Sequence, residues 1–379
     1  MDIDTARKDI DKLDSELVDI VKKRMELANE IANYKQENSL PVLNKSRERE
    51  ILNRVADLSG DELASYIQVL FSTLFNISRS YQNRIITSHS PLKASIEAAL
   101  NNTDAIFPTR SVVACQGVEG AYSQMACDRL FSSPSIMYFN EFEGVFHAVE
   151  KGLCKYGVLP IENSTAGSVN EVYDLMKKNR FYIVRSIQMR IEHNLLAKKG
   201  VKLKDIKEIY SHEQAISQCS DFLKSVNVKV TACENTALAA KLVAESDRTD
   251  VAALSSRDCA ELYNLCAIDD NIMNSENNYT RFICISKNLE IYPGSTKISL
   301  MLCLPHRPGS LYGIISRLAS LGLNLTKLES RPIPNKNFEF MFYFDVDASV
   351  SSQDVIRLIC ELDDEIDQFV YLGSYSEVF

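Results

Sequence analysis

A basic excess is the first thing this sequence lacks. Its 379 residues carry 42 Lys and Arg against 51 Asp and Glu, a net charge of −9. That leaves no basic face for general binding to nucleic acid. No apolar run reaches the roughly 18 residues of a membrane span, and the start, MDIDTARKDID, is acidic and has no apolar signal core. Ten cysteines lie between Cys115 and Cys360, but none forms CxxC and no Cys/His cluster has metal spacing. Reduced thiols serving as small core residues are therefore expected, in a cytosolic protein without a metal. Cys259 and Cys266, seven apart, are expected on one helical face. Walker and GxGxxG motifs are also missing, so nucleotide binding is unsupported. Gly and Pro are few, 13 and 10, and no Gly precedes Gly60, as an all-helical opening favours.

What is present implies two or three domains, since 379 residues exceed one ordinary core. Residues 3–36 read as one helix, capped by Asp4 or Thr5 and stopped before Pro41. Helices over 46–58 and 61–86 follow, and residues 88–110 read as a polar linker carrying a short helix. From Ser111 short apolar runs alternate with helical patterns, which predicts an α/β region with a largely parallel sheet, plausibly two small lobes facing a cleft. Residues 296–379 read as βαββαβ, a ferredoxin-like unit. No internal repeat or low-complexity segment stands out.

The first helix has an apolar stripe of Ala6, Ile10, Leu13, Leu17, Ile20, Leu27, Ala28 and Ile31, with Arg24 and Lys35 on it. A buried cation is costly unless an anion meets it, so the stripe is expected to hold an anionic small molecule as well as a core. Residues 1–90 carry 13 Lys/Arg against 15 Asp/Glu, so these cations are placed by position and do not come from a basic tail. A helix about 50 Å long cannot bury its stripe alone, and a second chain is the expected partner. Arg7 lies about 100° around the axis from Arg24 and somewhat over 20 Å along it, so it should serve a different site, plausibly a partner's. Arg47 and Glu48 open the second helix, while Ser78 and Gln82 share a face of the third.

Together these residues resemble the all-helical chorismate mutases over residues 1–90, through R7-x16-R24-x10-K35-x11-R47-E48 and S78-x3-Q82. The resemblance implies that Arg7, reaching across a dimer, joins Arg24 and Arg47 on the substrate's two carboxylates. It implies that Lys35 and Gln82 donate to the ether oxygen, with Glu48 and Ser78 completing the lining. Asn44 stands where that family often has Asp. The chemistry suits the residues. A Claisen rearrangement needs a folded substrate and donors where charge grows on the breaking C–O bond, and needs no nucleophile.

In the α/β region four stretches stand at strand–loop or loop–helix junctions: GVEGAYSQMA (117–126), PIENSTAGSVNEVYD (160–174), YSHEQAISQC (210–219) and NYTRF (278–282). Such junctions expose backbone N–H groups and short hydroxyls, which suit anions. Singly, Ser and Thr there are ordinary helix caps, and His193 and His212 are lone histidines of structural type. As an ordered set over 111–287 they resemble prephenate dehydratases, with Thr280-Arg281-Phe282 and Pro160-Ile161-Glu162-Asn163 as the most specific motifs. The resemblance implies two lobes like a periplasmic binding protein. It implies a cleft site with Thr280, Glu162, Asn163 and Gln218 catalytic, and Ser164, Ser211, Gln214, Arg281 and Phe282 binding substrate. Prephenate loses its ring carboxylate and C4 hydroxyl as the ring becomes aromatic. Thr280 is read as an orienting donor, and Glu162 supplies a proton only if burial raises its pKa.

The tail carries RPGSLYGII (307–315) and LESRPIP (328–334), which resemble the ACT regulatory domain of dehydratases. The resemblance implies a phenylalanine site at an ACT–ACT interface built from Gly309, Ser310, Leu311, Glu329, Ser330, Arg331 and Pro332. Tyr312 departs from the family's usual Val. The combined expectation is multidomain: helical 1–90, linker 91–110, dehydratase 111–287 and regulatory 296–379. Chorismate and prephenate are its substrates, phenylalanine its effector and a homodimer or higher homo-oligomer its assembly, with no cofactor, nucleic acid or membrane. Two other readings stay open. One is an arogenate-preferring dehydratase, the other an amino-acid-sensing binding protein without catalysis.

Overall fold

The structure, a computed structural model, describes residues 2–38, 40–86, 90–306, 309–333 and 339–379. The chain falls into two compact units, residues 1–98 with 300–371 and residues 99–299 with 372–379.

The first unit opens on α1 (Ile3–Glu37), 35 residues without Gly or Pro. Asp2, not Asp4 or Thr5, stands at its cap position with extended backbone. α2 (Lys45–Ile86) starts at Asn44, whose Oδ1 accepts from the Arg47 N–H at 3.1 Å, an N-cap bond. Gly60 breaks α2 with φ 70° and ψ 163°, a left-handed conformation that favours glycine, so the break expected between 58 and 61 sits on that residue. Only Ala28 and Ala32 of α1 are buried against the hairpin partner. Ile10, Leu13, Leu17, Ile20, Leu27 and Ile31, expected in a buried stripe, remain exposed. One chain offers a single partner helix, and the face that meets it runs through Arg24, Ala28, Ala32 and Lys35. α3 (Pro91–Asn102) begins with proline, whose missing N–H costs nothing in a first turn, and buries Ile96 completely.

The second unit has two sheets. The chain lays down β1 (Val112–Gln116), α4 (Tyr122–Leu130), β2 (Ser135–Phe139), α5 (Phe142–Glu150) and β3 (Tyr156–Asn163). It continues with β4 (Gly167–Ser168), α6 (Asn170–Lys178) and β5 (Tyr182–Arg190). It then builds a second sheet from β6 (Asn194–Ala197), β7 (Glu208–Ser211), α7 (Glu213–Gln218), α8 (Ser220–Val226) and β8 (Lys229–Ala232). To these it adds α9 (Thr236–Glu245), β9 (Val251–Ser255), α10 (Asp258–Leu262) and β10 (Cys266–Asp269). β11 (Tyr279–Ser286) returns to the first sheet, between β5 and β3. The second sheet runs β10-β6-β9-β7-β8.

These sheets are mixed, where a largely parallel one was expected. β1 is parallel to β2 and β3, but β11 is antiparallel to both its neighbours. β7 is parallel to β8 and β9, while β6 is antiparallel to β9 and β10. The chain crosses between the sheets twice, and the strand after each crossing, β6 then β11, runs against its neighbours. Cys259 and Cys266 do not share a helical face either. Cys259 is buried in the five-residue α10, Asn264 turns the chain at φ 54°, and Cys266 opens β10 exposed. Asn is among the few residues that adopt such a left-handed turn readily.

The tail supplies β12 (Lys297–Leu304), α11 (Ser310–Ser320), β13 (Asn324–Pro332), β14 (Phe340–Asp347), α12 (Gln353–Glu365) and β15 (Phe369–Val378). Its strands are ordered β13-β14-β12-β15, the ferredoxin-like arrangement of a βαββαβ unit. α11 stops at Gly322, φ 68°. Within the second unit, Ser376–Val378 pair in parallel with Arg185–Ile187 of β5. Nearby, Gly373 has φ 137°, and a Cβ there would lie 2.3 Å from the Ile183 carbonyl oxygen, so the backbone approach requires glycine.

Candidate active sites

In the first unit the α1–α2 hairpin gathers the expected polar set. Lys35 Nζ donates to the Val42 carbonyl at 2.5 Å and to Gln82 Oε1 at 3.3 Å. Gln82 Nε2 donates to Ser78 Oγ at 3.2 Å, and both residues are buried. Burial lowers the Lys35 pKa, and the Glu48 carboxylate partly offsets this. The Arg24 guanidinium, its pKa also lowered by burial, lies 5.8 Å from the Phe75 ring centroid. Its Nη1 is buried with no hydrogen-bond acceptor among the described residues. A buried donor without an acceptor is costly, and an anion would relieve it. Glu48 is held by Arg79. Arg47 is half exposed and pairs with Glu50 at 2.5 Å. Arg7 is exposed and pairs with Asp4 at 3.6 Å. One chain thus links Lys35, Gln82 and Ser78, sets Arg24 over Phe75 of the same hairpin, and leaves Arg7 and Arg47 facing solvent.

In the second unit the junction between the sheets is a network of neutral groups. Asn163 Oδ1 accepts from the Thr165 N–H (3.1 Å), the Ala166 N–H (2.9 Å) and Thr165 Oγ1 (2.7 Å), an Asx turn. Its Nδ2 donates to Thr280 Oγ1 at 2.9 Å and to Asn278 Oδ1 at 2.8 Å. Gln218 Nε2 donates to Thr165 Oγ1 at 2.7 Å, while its Oε1 accepts from Asn278 Nδ2 at 3.1 Å. His193 Nε2 lies 3.1 Å from the same Oε1. Burial pushes the His193 pKa down to about 4, so the ring is neutral at pH 7 and Nε2–H is the donor. Thr165, Gln214, Ser217, Gln218, Met273 and Asn278 are among the residues lining a cleft of about 280 Å³. Thr280 Oγ1 accepts from Asn163, and its own hydroxyl proton has no acceptor among the described residues.

Two family models match in order along the chain, chorismate mutase type II over residues 6–83 and prephenate dehydratase over residues 113–290. The bifunctional chorismate mutase/prephenate dehydratase of Escherichia coli K12 is 31% identical over 381 aligned residues, 97% of this chain and 95% of that protein. The chain belongs to this bifunctional family. It is an enzyme with a chorismate mutase segment and a prephenate dehydratase segment. Arogenate dehydratase 2 of Petunia hybrida is 34% identical over 305 residues, 76% of this chain and 77% of that one. Among solved structures, prephenate dehydratase from Arthrobacter aurescens in complex with L-Phe has a TM-score of 0.64 at 26% identity, covering 70% of this chain and 89% of that one.

Not every residue expected in the dehydratase site faces the cleft. Thr280 pairs with Asn163 and Arg281 with Glu162 across β11 and β3, and successive residues of a strand point to opposite faces. Glu162 and Arg281 therefore share the face away from Thr280. They pair at 3.8 Å, and Arg281 also meets Glu377 at 3.8 Å. Ser211 is fully buried and donates to the Leu254 carbonyl at 2.8 Å. Phe282 belongs to the first sheet's core. Ser164 accepts from the Tyr279 N–H at 2.9 Å and donates to the Asn277 carbonyl at 3.0 Å, tying the β3 turn to β11. Sequence reasoning gives no role to Thr165 and Asn278 and reads His193 as structural. An Asn followed by Ser-Thr is an Asx-turn signal that points to Thr165, whereas nothing local marks His193.

In the tail, Gly309 caps α11 in a left-handed conformation, φ 85°, and Ser310 and Leu311 start the helix. Glu329–Pro332 end the edge strand β13, where a proline removes no needed ladder bond. Arg307, Pro308 and Pro334 of the two tail motifs lie outside the described residues. Among the described residues no helix is long and apolar enough to cross a membrane, and no three His, Cys, Asp or Glu side chains cluster as a metal site.

Proposed function

We propose that the helical segment rearranges chorismate to prephenate at the Arg24–Lys35–Gln82 cluster, and that the cleft at Thr280 converts prephenate to phenylpyruvate. The observation that carries the first half is the buried, acceptor-free Nη1 of Arg24, on the hairpin where the Lys35 ammonium and the Gln82 amide already touch. In this reading Arg24 and Arg47, with Arg7 of a second copy, bind the two carboxylates. Lys35 and Gln82 donate to the ether oxygen as its charge grows, while Glu48 and Ser78 line the pocket. The exposed apolar face of α1 is the surface on which that second copy would pack.

For the second half, the free Thr280 hydroxyl donates to the departing C4 oxygen, while Asn163, Thr165, Gln218 and Asn278 fix its direction. Neutral groups suffice because aromatisation drives the loss of carboxylate and hydroxide. The tail is read as an ACT domain that binds phenylalanine through Gly309–Leu311 and Glu329–Pro332 and inhibits the dehydratase. The enzyme is read as cytoplasmic. A coupled assay from chorismate that detects phenylpyruvate tests both activities, and accumulation of prephenate alone would refute the second.

The identity to an arogenate dehydratase favours one alternative, a cleft that prefers arogenate. Side-by-side turnover of prephenate and arogenate decides between them. For the tail, phenylalanine should raise the melting temperature saturably and unrelated amino acids should not.

A further inference from the structure

Arg79 follows Ser78 on α2 and is only 13% exposed. Its Nη1 donates to Glu48 and its Nη2 to Asn76. Its Nε faces Glu365 Oε1 of α12 at 3.6 Å. The other oxygen of Glu365 accepts from Arg317 Nη2 of α11 at 2.5 Å. One turn earlier on α12, Glu361 Oε1 accepts from Ser80 Oγ at 3.2 Å. The face of α2 behind the mutase cluster is thus met by charged groups of the tail. The guanidinium thus stands between two carboxylates, hydrogen-bonded to Glu48 and ion-paired without a hydrogen bond to Glu365.

Glu48 is also the carboxylate whose charge acts on Lys35. Without Arg79, Glu48 loses its ion pair and is left to act on the Lys35 ammonium, which its charge already reaches. An ammonium already paired to a carboxylate is a poorer donor to the ether oxygen. We propose that Arg79 is a positioning residue of the mutase, holding Glu48 off Lys35, and that Glu365 holds Arg79, so that α12 of the C-terminal segment completes the mutase site. The proposal rests on the assignment of Lys35 and Glu48 to that site.

The test uses the full chain with both activities measured on each preparation. Arg79→Ala should lower mutase kcat about tenfold or more with a smaller change in KM, because Lys35 acts mainly in the transition state. Arg79→Lys should recover most of the loss. A fall in kcat with little change in KM, recovered by Arg79→Lys, marks a positioning role, whereas a purely structural role gives no such split. Glu365→Gln should lower mutase kcat by about threefold and leave dehydratase turnover within about twofold of the parent, the size expected when one restraint of a charge network is lost. Mutase kinetics of Glu365→Gln equal to the parent would overturn the proposal. If Arg79→Ala loses both activities its fold has failed, and Glu365→Gln alone decides. Lys35→Ala run in parallel separates the two levels. Retained mutase turnover there sinks the site assignment, whereas a dead Lys35→Ala beside a normal Glu365→Gln sinks only the proposal.

Discussion

The two candidate catalytic regions pose opposite electrostatic problems. The helical cluster is built of cations partly desolvated by burial, with the pKa values of Arg24 and Lys35 lowered and one guanidinium nitrogen lacking an acceptor. The junction between the sheets of the second unit is built of neutral amides and hydroxyls that hydrogen-bond one another, with the neutral His193 ring on Gln218 and its Nδ1 left without a partner. A dianion that must fold and polarise needs uncompensated positive charge. A substrate driven by aromatisation needs orientation, and a closed network supplies it without the cost of desolvating ions. Preorganisation is common to both, and only its sign differs.

The largest expected effect breaks the comparison at its charged end. Lys35→Ala should cost the mutase at least about 10²-fold in kcat, the scale of losing one aimed donor, while dehydratase turnover persists; chorismate consumption followed beside phenylpyruvate formation from prephenate measures both. Next, Thr280→Ala should lower dehydratase kcat about 10²-fold and spare the mutase, and a variant with parental dehydratase turnover would remove Thr280 from the reaction.

A third prediction separates the units by pH. His193, at about 4 against an ordinary 6.5, is charged only in the unfolded chain between those values, so its contribution is lost as pH falls through that window. Glu361, pushed up to about 7 by burial against the opposing pull of Arg317, is ionised only in the unfolded chain between about 4.5 and 7, so its contribution grows as pH falls. Each is worth at most roughly 3 kcal/mol. Hydrogen exchange from pH 6.5 to 4.5 should therefore show slower opening of α12 and faster opening around β6. Parallel changes would contradict the assignment. The smallest effect is structural. Gly373→Ala should destabilise the second unit by about 1–3 kcal/mol, read as a lower melting temperature with mutase kinetics unchanged.

Much of the fold was legible because its punctuation is local. Pro41, Gly60 and Gly322 end or break helices where their backbone chemistry says they must, and the tail's alternation of strands and helices matches its element order. The mixed sheets were not legible, because strand direction depends on crossings between lobes that leave no local trace. β2, β6 and β10, five or four residues each, are too short to show a period of their own. The periodicity of α1 predicts more buried neighbours for Arg24 and Lys35 than one chain supplies, since a periodicity cannot say how many partners a helix has. In the cleft, Thr280, Asn163 and Gln218 came from motifs. Their connection through Thr165 and Asn278, and the place of His193 behind Gln218, are properties of two loops and a strand meeting.

The break after α10 that separates Cys259 from Cys266 has a practical side. Seven of the ten thiols are buried, and burial raises Cys219 to about 12, where almost no thiolate exists at neutral pH. Cys266, at the start of β10, is the exposed one. A short maleimide reaction on the unmodified protein would place a dye on the edge strand of the second sheet, giving the dehydratase segment a reporter without engineering.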